Sequence, residues 1–182
     1  MEQDDPSLVR QALAGDPSAF DRLVEIHTAR LFRLVRRFAP DEGEAESLVQ
    51  EAWLRAWQHR RRCSPDRPFF PWLASIATNL TRDAWRKRRP LDFADVGDEI
   101  DSAAADEVPL EARLEADEAR ARLANGVRGL RPEWRVVIAL RYDGGLGYAE
   151  IAAVLGVPLN TVRTHLRRAR AALRRFLEEE NA

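Results

Sequence analysis

LGYAEIAAVLGVPLNTVRTHLRRARAALRRF, residues 146–176, decides how the rest of this chain is read. Tyr148 to Leu155 has the apolar spacing of a short helix, with Ile151, Ala152 and Leu155 on one face. Gly156 supplies a turn, because glycine alone enters the left-handed backbone region without a steric penalty. Pro158 prevents the first helix from continuing. Asn160 or Thr161 can cap a second helix, whose Val162, Leu166, Ala169 and Leu173 share a face. Two helices joined by a short glycine-containing turn form a helix-turn-helix.

The second of these helices carries the chemistry. From Arg163 to Arg175 there are arginines at 163, 167, 168, 170, 174 and 175, one histidine and no acid. Such a helix repels itself and its neighbours unless a polyanion lies along it. The planar guanidinium fork also fits guanine edges and phosphates in a way that lysine does not. A solvated basic face is the bland alternative, and the turn ahead of the helix weighs against it. The expectation is DNA binding through a recognition helix.

Whole-chain charge would not have suggested this: the 182 residues hold 29 basic and 30 acidic side chains, net −1. Its distribution does. Residues 1–90 carry a positive excess, residues 91–126 a strong negative one, and residues 127–182 are positive again. The single cysteine rules out an internal disulfide and suits a reducing cytoplasm. The N-terminal MEQDDPSLVRQ has neither the basic start nor the apolar core of a signal peptide. No apolar run approaches the ~18 residues that a membrane span needs. A cytoplasmic protein without membrane insertion is expected.

Upstream, helical periodicity recurs throughout. Pro6–Ala14 reads as a helix stopped at Gly15. Asp16-Pro17 is a cap followed by proline at the first helical position, opening a helix with Phe20, Leu23, Val24, His27, Leu31, Leu34, Val35 and Phe38 inward and Pro40 at its end. His27 on that stripe is expected to be a structural histidine. Asp41–Gln58 follows, with Ala45, Leu48, Val49, Ala52, Trp53 and Ala56 inward. Ser47, Gln50, Glu51, Leu54 and Arg55 then face outward.

HRRRCSPDRPFFP, residues 59–71, reads as a loop. Adjacent Phe69 and Phe70 beside positive charge either stack an unpaired base or anchor the following helix, and both readings stand on sequence alone. His59 and Cys63 are two potential ligands without a second pair, so no metal is assigned. Trp72–Trp85 is the next helix, with Trp72, Leu73, Ile76, Ala77 and Leu80 inward and Asn79, Arg82, Asp83 and Arg86 outward. A basic cluster through Lys87 closes it, and beside tryptophans it reads as a nucleic-acid surface.

Residues 91–108 form an acidic, flexible linker. A helix from Pro109 to about Val127 and another from Pro132, with Trp134, Val137, Ile138, Leu140 and Tyr142 as core, complete the chain. Alternating strand patterns are absent. The fold class is all-α: two small helical domains, 1–90 and 109–182, joined by the acidic linker.

Together the halves resemble the extracytoplasmic-function (ECF) sigma factors of bacterial RNA polymerase. GDPSAFDRLVEIH, EAESLVQEAWLRAW and FFPWLASIATNLTRDAWRKRR look, in that order, like that family's region 2, and GYAEIAAVLGVPLNTVRTHLRRARAALRRFL like its region 4. The resemblance implies a promoter-specificity subunit that binds core polymerase, recognises −10 and −35 elements, and has no catalytic residues and no cofactor. It implies that Ser47, Gln50, Glu51, Leu54 and Arg55 dock on the clamp helices of the largest polymerase subunit. Arg67, Phe69 and Phe70, in the loop from Cys63, together with Asn79, Asp83, Arg86 and Lys87, would handle the −10 element. Asn160, Thr161, Arg163, Thr164, Arg167 and Arg168 would meet the −35 duplex. The polymerase flap region and an anti-sigma factor are further partners implied for the family.

Two departures stand out. Ser47 occupies a position where the family usually has aspartate, and His165 one where it usually has arginine. The competing readings are a freestanding helix-turn-helix regulator, which would bind duplex DNA without polymerase, and a protein that only sequesters polymerase. An enzyme acting on nucleic acid is a more distant third.

Overall fold

The computed structural model describes residues 6–87 and 110–180; within them the side chains of residues 85, 87 and 110–117 are not described. Eight α-helices occur among the described residues, and no strand does. They are α1 (Pro6–Ala14), α2 (Pro17–Arg36), α3 (Glu42–His59), α4 (Phe69–Lys87), α5 (Leu110–Arg128), α6 (Pro132–Tyr142), α7 (Tyr148–Leu155) and α8 (Leu159–Glu180). The acidic linker of residues 91–108 lies outside the described residues.

Local chemistry explains most of the boundaries. Asp16 accepts hydrogen bonds from the Ser18 and Ala19 amides at 2.9 and 3.3 Å, and Pro17 opens α2 as the sequence predicts. Asp41 caps α3 through the Glu44 amide at 2.8 Å. α2 stops at Arg36, before Pro40, and the Phe38 and Ala39 amides both fall back on the Val35 carbonyl. α4 begins at Phe69, three residues ahead of the predicted Trp72. Pro71 therefore sits in the first turn, where a missing N–H leaves no intrahelical bond unmade.

Helices α1–α4 pack together, with α2 against α1 and α3, and α4 crossing α2 and α3. Leu23, Leu31, Leu34, Ala52, Ala56, Phe69, Leu73 and Ala74 lie at its fully buried centre. His27, as expected, is structural: it is buried, its ring 5.7 Å from Phe69 and 5.6 Å from Phe70.

In the C-terminal group α8 runs against α5, α6 and α7. Val162, Leu166 and Ala169 are buried on the predicted face, with Leu173 half-buried. Four details differ from the sequence reading. On α7 the buried pair is Ile151 and Val154, with Ala152 and Leu155 only half-buried. Tyr142 is 60% exposed and not core: it is the last residue of α6, beyond the buried run Val136–Leu140. α8 starts at Leu159, so neither Asn160 nor Thr161 is its cap; the Pro158 carbonyl accepts from the Thr161 amide at 2.9 Å. Asn160 instead accepts from Arg163 on the helix surface, at 3.3 Å.

The two groups touch. α7 packs on α4, and the buried residues of both halves form one contiguous apolar core.

Candidate nucleic-acid interface

The turn of the helix-turn-helix forms as read. Gly156 takes φ +65°, and its amide returns to the Ala152 carbonyl, which ends α7. The Gly147 amide donates to the Glu150 carboxylate at 2.6 Å, which tethers the start of α7. With Val162, Leu166 and Ala169 buried, Arg163, Arg167 and Arg168 emerge on the exposed side of α8, and Thr161 and Thr164 are half-buried beside them. This follows from helical periodicity: Arg163, Arg167 and Arg168 fall opposite the inner i, i+4, i+7 positions, while Thr164 and His165 lie at the flanks.

Arg170 is held differently. It donates to the Tyr142 hydroxyl at 3.0 Å and to that of Tyr148 at 3.4 Å. The Tyr142 bond, then that of Tyr148, raises the guanidinium pKa further. Sequence reasoning missed this cluster because it read Tyr142 as core. Helical spacing gave no warning of this, since Ala139 and Ile138, three and four residues before Tyr142, are both buried.

In the N-terminal half, the structure separates the expected −10 residues into two sets. Arg67, Asn79, Asp83 and Arg86 are exposed, and Asp83 and Arg86 form a loose ion pair at 3.8 Å. Lys87 belongs to α4, with its side chain outside the described ones. Phe69 and Phe70 are 0% and 2% exposed, and they offer no ring face to a base in this conformation. Phe69 lies between His27, Trp53 at 6.2 Å and Trp72 at 5.5 Å, while the Arg30 guanidinium sits 3.8 Å over the Phe70 ring. Of the two readings left open for these residues, the helix anchor is the one seen here. Two large rings at a helix start lose more by facing water than by filling the α2–α3–α4 core.

Ser47, Gln50 and Leu54 lie on one exposed side of α3, and Leu54 is 52% exposed. Glu51 and Arg55 pair on the same side at 2.7 Å. Ser47 donates to the Gly43 carbonyl at 2.9 Å, so its hydroxyl is partly occupied within its own helix. Among the described residues no cluster of three or more histidine, cysteine or acidic side chains could hold a metal ion, and no helix is long and apolar enough to cross a membrane.

Comparison with known proteins follows this geometry closely. Residues 23–90 match the model of Sigma-70 region 2, and residues 120–173 that of Sigma-70 region 4. The ECF RNA polymerase sigma factor SigW of Bacillus subtilis is 34% identical over 178 residues, 94% of this chain and 95% of that one. The RNA polymerase sigma factor CnrH of Cupriavidus metallidurans is 34% identical over 190 residues, 99% and 97% of the two chains. The solved structure of CnrH in complex with the cytosolic domain of CnrY superposes with a TM-score of 0.72 at 33% identity, over 96% of this chain and 97% of that one. The arginine-faced helix-turn-helix and the aromatic-anchored N-terminal bundle are thus the two halves of one known design, and this chain belongs to the ECF family of RNA polymerase sigma factors.

Proposed function

We propose that this sigma factor divides promoter recognition between its halves, residue by residue, as follows. Ser47, Gln50, Glu51, Leu54 and Arg55 bind the clamp helices of the largest polymerase subunit, with Leu54 as the apolar centre of a polar patch. Arg67, Asn79, Asp83, Arg86 and Lys87 meet the −10 element. Phe69 and Phe70 shape that surface from beneath, and a direct stacking role requires them to leave the core. Arg163, Arg167 and Arg168 enter the −35 major groove, flanked by Asn160, Thr161 and Thr164. Phosphate contacts position this domain, and base-edge contacts specify the sequence.

The observation that carries the reading is the arginine run on α8, exposed along a helix whose opposite side is fixed in the core. Residues 1–90 and 109–182 act as the two functional domains, the second also reaching the flap region. The chain itself is no enzyme; catalysis belongs to the polymerase, in the cytoplasm. An anti-sigma factor is a fitting regulator, since CnrH, of like fold, is seen with the cytosolic domain of CnrY.

Run-off transcription with core polymerase tests this directly. Promoter-specific transcripts should require the protein and fade with the triple variant Arg163→Ala, Arg167→Ala, Arg168→Ala. Tight duplex binding without polymerase, and no dependent transcript, would instead identify a freestanding regulator.

A further inference from the structure

Three helices meet at Arg170. Tyr142 is the last residue of α6, Tyr148 the first of α7, and Arg170 lies midway along α8. The Arg170 Nε donates to the Tyr142 hydroxyl at 3.0 Å, and Nη2 to the Tyr148 hydroxyl at 3.4 Å. Both bonds leave from the same edge of the guanidinium. Of its five N–H groups three remain, and they include the Nη1–Nη2 end, a fork that fits two oxygens of one anion. Each hydroxyl accepts from Arg170 and so keeps its own proton for a further acceptor. Among the described residues no acid pairs with Arg170; its bonds go to these two neutral rings. The side chain is thus fixed in place without being neutralised. Arg141, 5.5 Å from the Tyr148 ring centroid, adds a second positive charge beside it. Arg170 and Tyr142 are exposed, so the cluster opens to solvent. Ordering a long arginine costs rotamer entropy, and an anion that arrives later no longer has to meet that cost.

We propose that Tyr142, Tyr148 and Arg170 form a preformed seat for one phosphodiester of the −35 duplex, which reads no base and sets how far α8 advances along the groove. The seat rests on the −35 reading above and lies outside the residues assigned there. Placement along the helix is the argument. Arg163, Arg167 and Arg170 follow one another at i, i+4 and i+7, so the seat continues the line of the first two. Arg170 stands seven residues beyond Arg163, roughly 10 Å along the axis at ~1.5 Å per residue. Recognition helices put their N-terminal residues on base edges, in a major groove about 12 Å wide. A side chain that far along has left the base edges and meets the groove's border, where the phosphates run. The two non-bridging oxygens of a phosphodiester take the guanidinium fork, and the tyrosine protons complete their hydrogen bonds. Because the hydroxyls belong to α6 and α7, the phosphate is tied to three helices at once and not to one swinging side chain.

Neutralising phosphates one at a time tests the seat, in holoenzyme assembled from core polymerase and the full chain. The probes are promoter duplexes, found by run-off transcription, in which a methylphosphonate replaces single phosphates of the −35 element. Neutralising one particular phosphate should weaken binding by the wild type about tenfold. Arg170→Ala should be about tenfold weaker on the unmodified duplex and lose nothing further at that phosphate. Lost packing alone cannot produce this pairing with a single phosphate. Arg170→Lys, charged but without a fork, and Tyr142→Phe, which keeps the ring and drops the hydroxyl, should fall between. Base-pair substitutions should cost every variant as much as the wild type. An Arg170→Ala holoenzyme that keeps the wild-type loss at every phosphate would overturn the seat. So would a changed base preference, or a Tyr142→Phe holoenzyme that behaves as wild type. Weaker assembly with core polymerase at unaltered DNA affinity would give the fork to a protein carboxylate and equally overturn it. A wild type that directs no transcript would remove the −35 reading itself. The seat is then decided on duplex of arbitrary sequence: Arg170→Ala should flatten the log K against log salt slope by about 0.9, and an unchanged slope would overturn it.

Discussion

Arg163, Arg167 and Arg168 share a helix with Arg170, yet they differ in what holds them. Arg170 is fixed by two tyrosine hydroxyls before any partner arrives, whereas Arg163 has only the weak reach to Asn160. In the isolated −35 duplex assay, alanine at an arginine that forks onto a guanine should cost about 1–3 kcal/mol and relax preference at one base pair. Alanine at an arginine that touches only phosphate should weaken all sequences alike and flatten the log K against log salt slope by about 0.9. Fluorescence anisotropy across a salt series sorts the three arginines. His165 is half-buried on the same helix. His165→Arg should steepen the salt slope if the side chain reaches a phosphate. On α3 the contrast is between Leu54, half exposed, and Leu73 on α4, fully buried. Leu54→Ala should leave the thermal midpoint nearly unchanged and weaken assembly with core polymerase. Leu73→Ala should cost about 2–5 kcal/mol of stability, read by denaturant unfolding. Residue types made Leu54 legible as an outward leucine. The burial of Phe69 and Phe70 was not legible, because adjacent aromatics suit stacking on a base and filling a core equally well.

At the scale of elements, the turns were more legible than the caps. Gly156 is required by its positive φ alone, since a β-carbon there meets nothing within 4 Å. Gly156→Ala should therefore cost only the left-handed backbone penalty, about 1–2 kcal/mol, and leave the DNA-bound form otherwise intact. Gly126 on α5 is the opposite case. Its β-carbon would stand 2.8 Å from the Phe176 ring and 3.2 Å from a Leu173 methyl, so Gly126→Ala should push α5 off α8. Unfolding of the two variants by urea, beside a duplex-binding assay, separates backbone strain from lost packing. The start of α8 was misread for a simple reason. Asn160 and Thr161 are good capping residues, but Pro158 already fixes φ and supplies the first acceptor carbonyl, so the helix begins earlier. A similar displacement brought α4 forward to Phe69, where burial of two rings outweighs the loop-forming tendency of the prolines around them.

For the whole molecule, the proposed division of −10 and −35 reading between the two halves makes specificity divisible. Exchanging residues 109–182 for the matching part of a relative with a different −35 preference should transfer that preference and leave the −10 preference in place. Run-off transcription on hybrid promoters measures this.

The sequence by itself determined the all-α class, the helix-turn-helix, the arginine-faced recognition helix and the division of charge between two basic halves and an acidic connector. These depend on spacing within one helix or turn, where i, i+3 and i+4 neighbours and a single glycine or proline decide the outcome. Only the tertiary structure decided that Phe69 and Phe70 lie in the core, that Tyr142 pins Arg170, and that Arg30 and Arg37 clasp the α6–α7 turn. Those contacts join residues up to 114 positions apart. Their energies depend on which surfaces meet in space, and no local pattern of residue types encodes that.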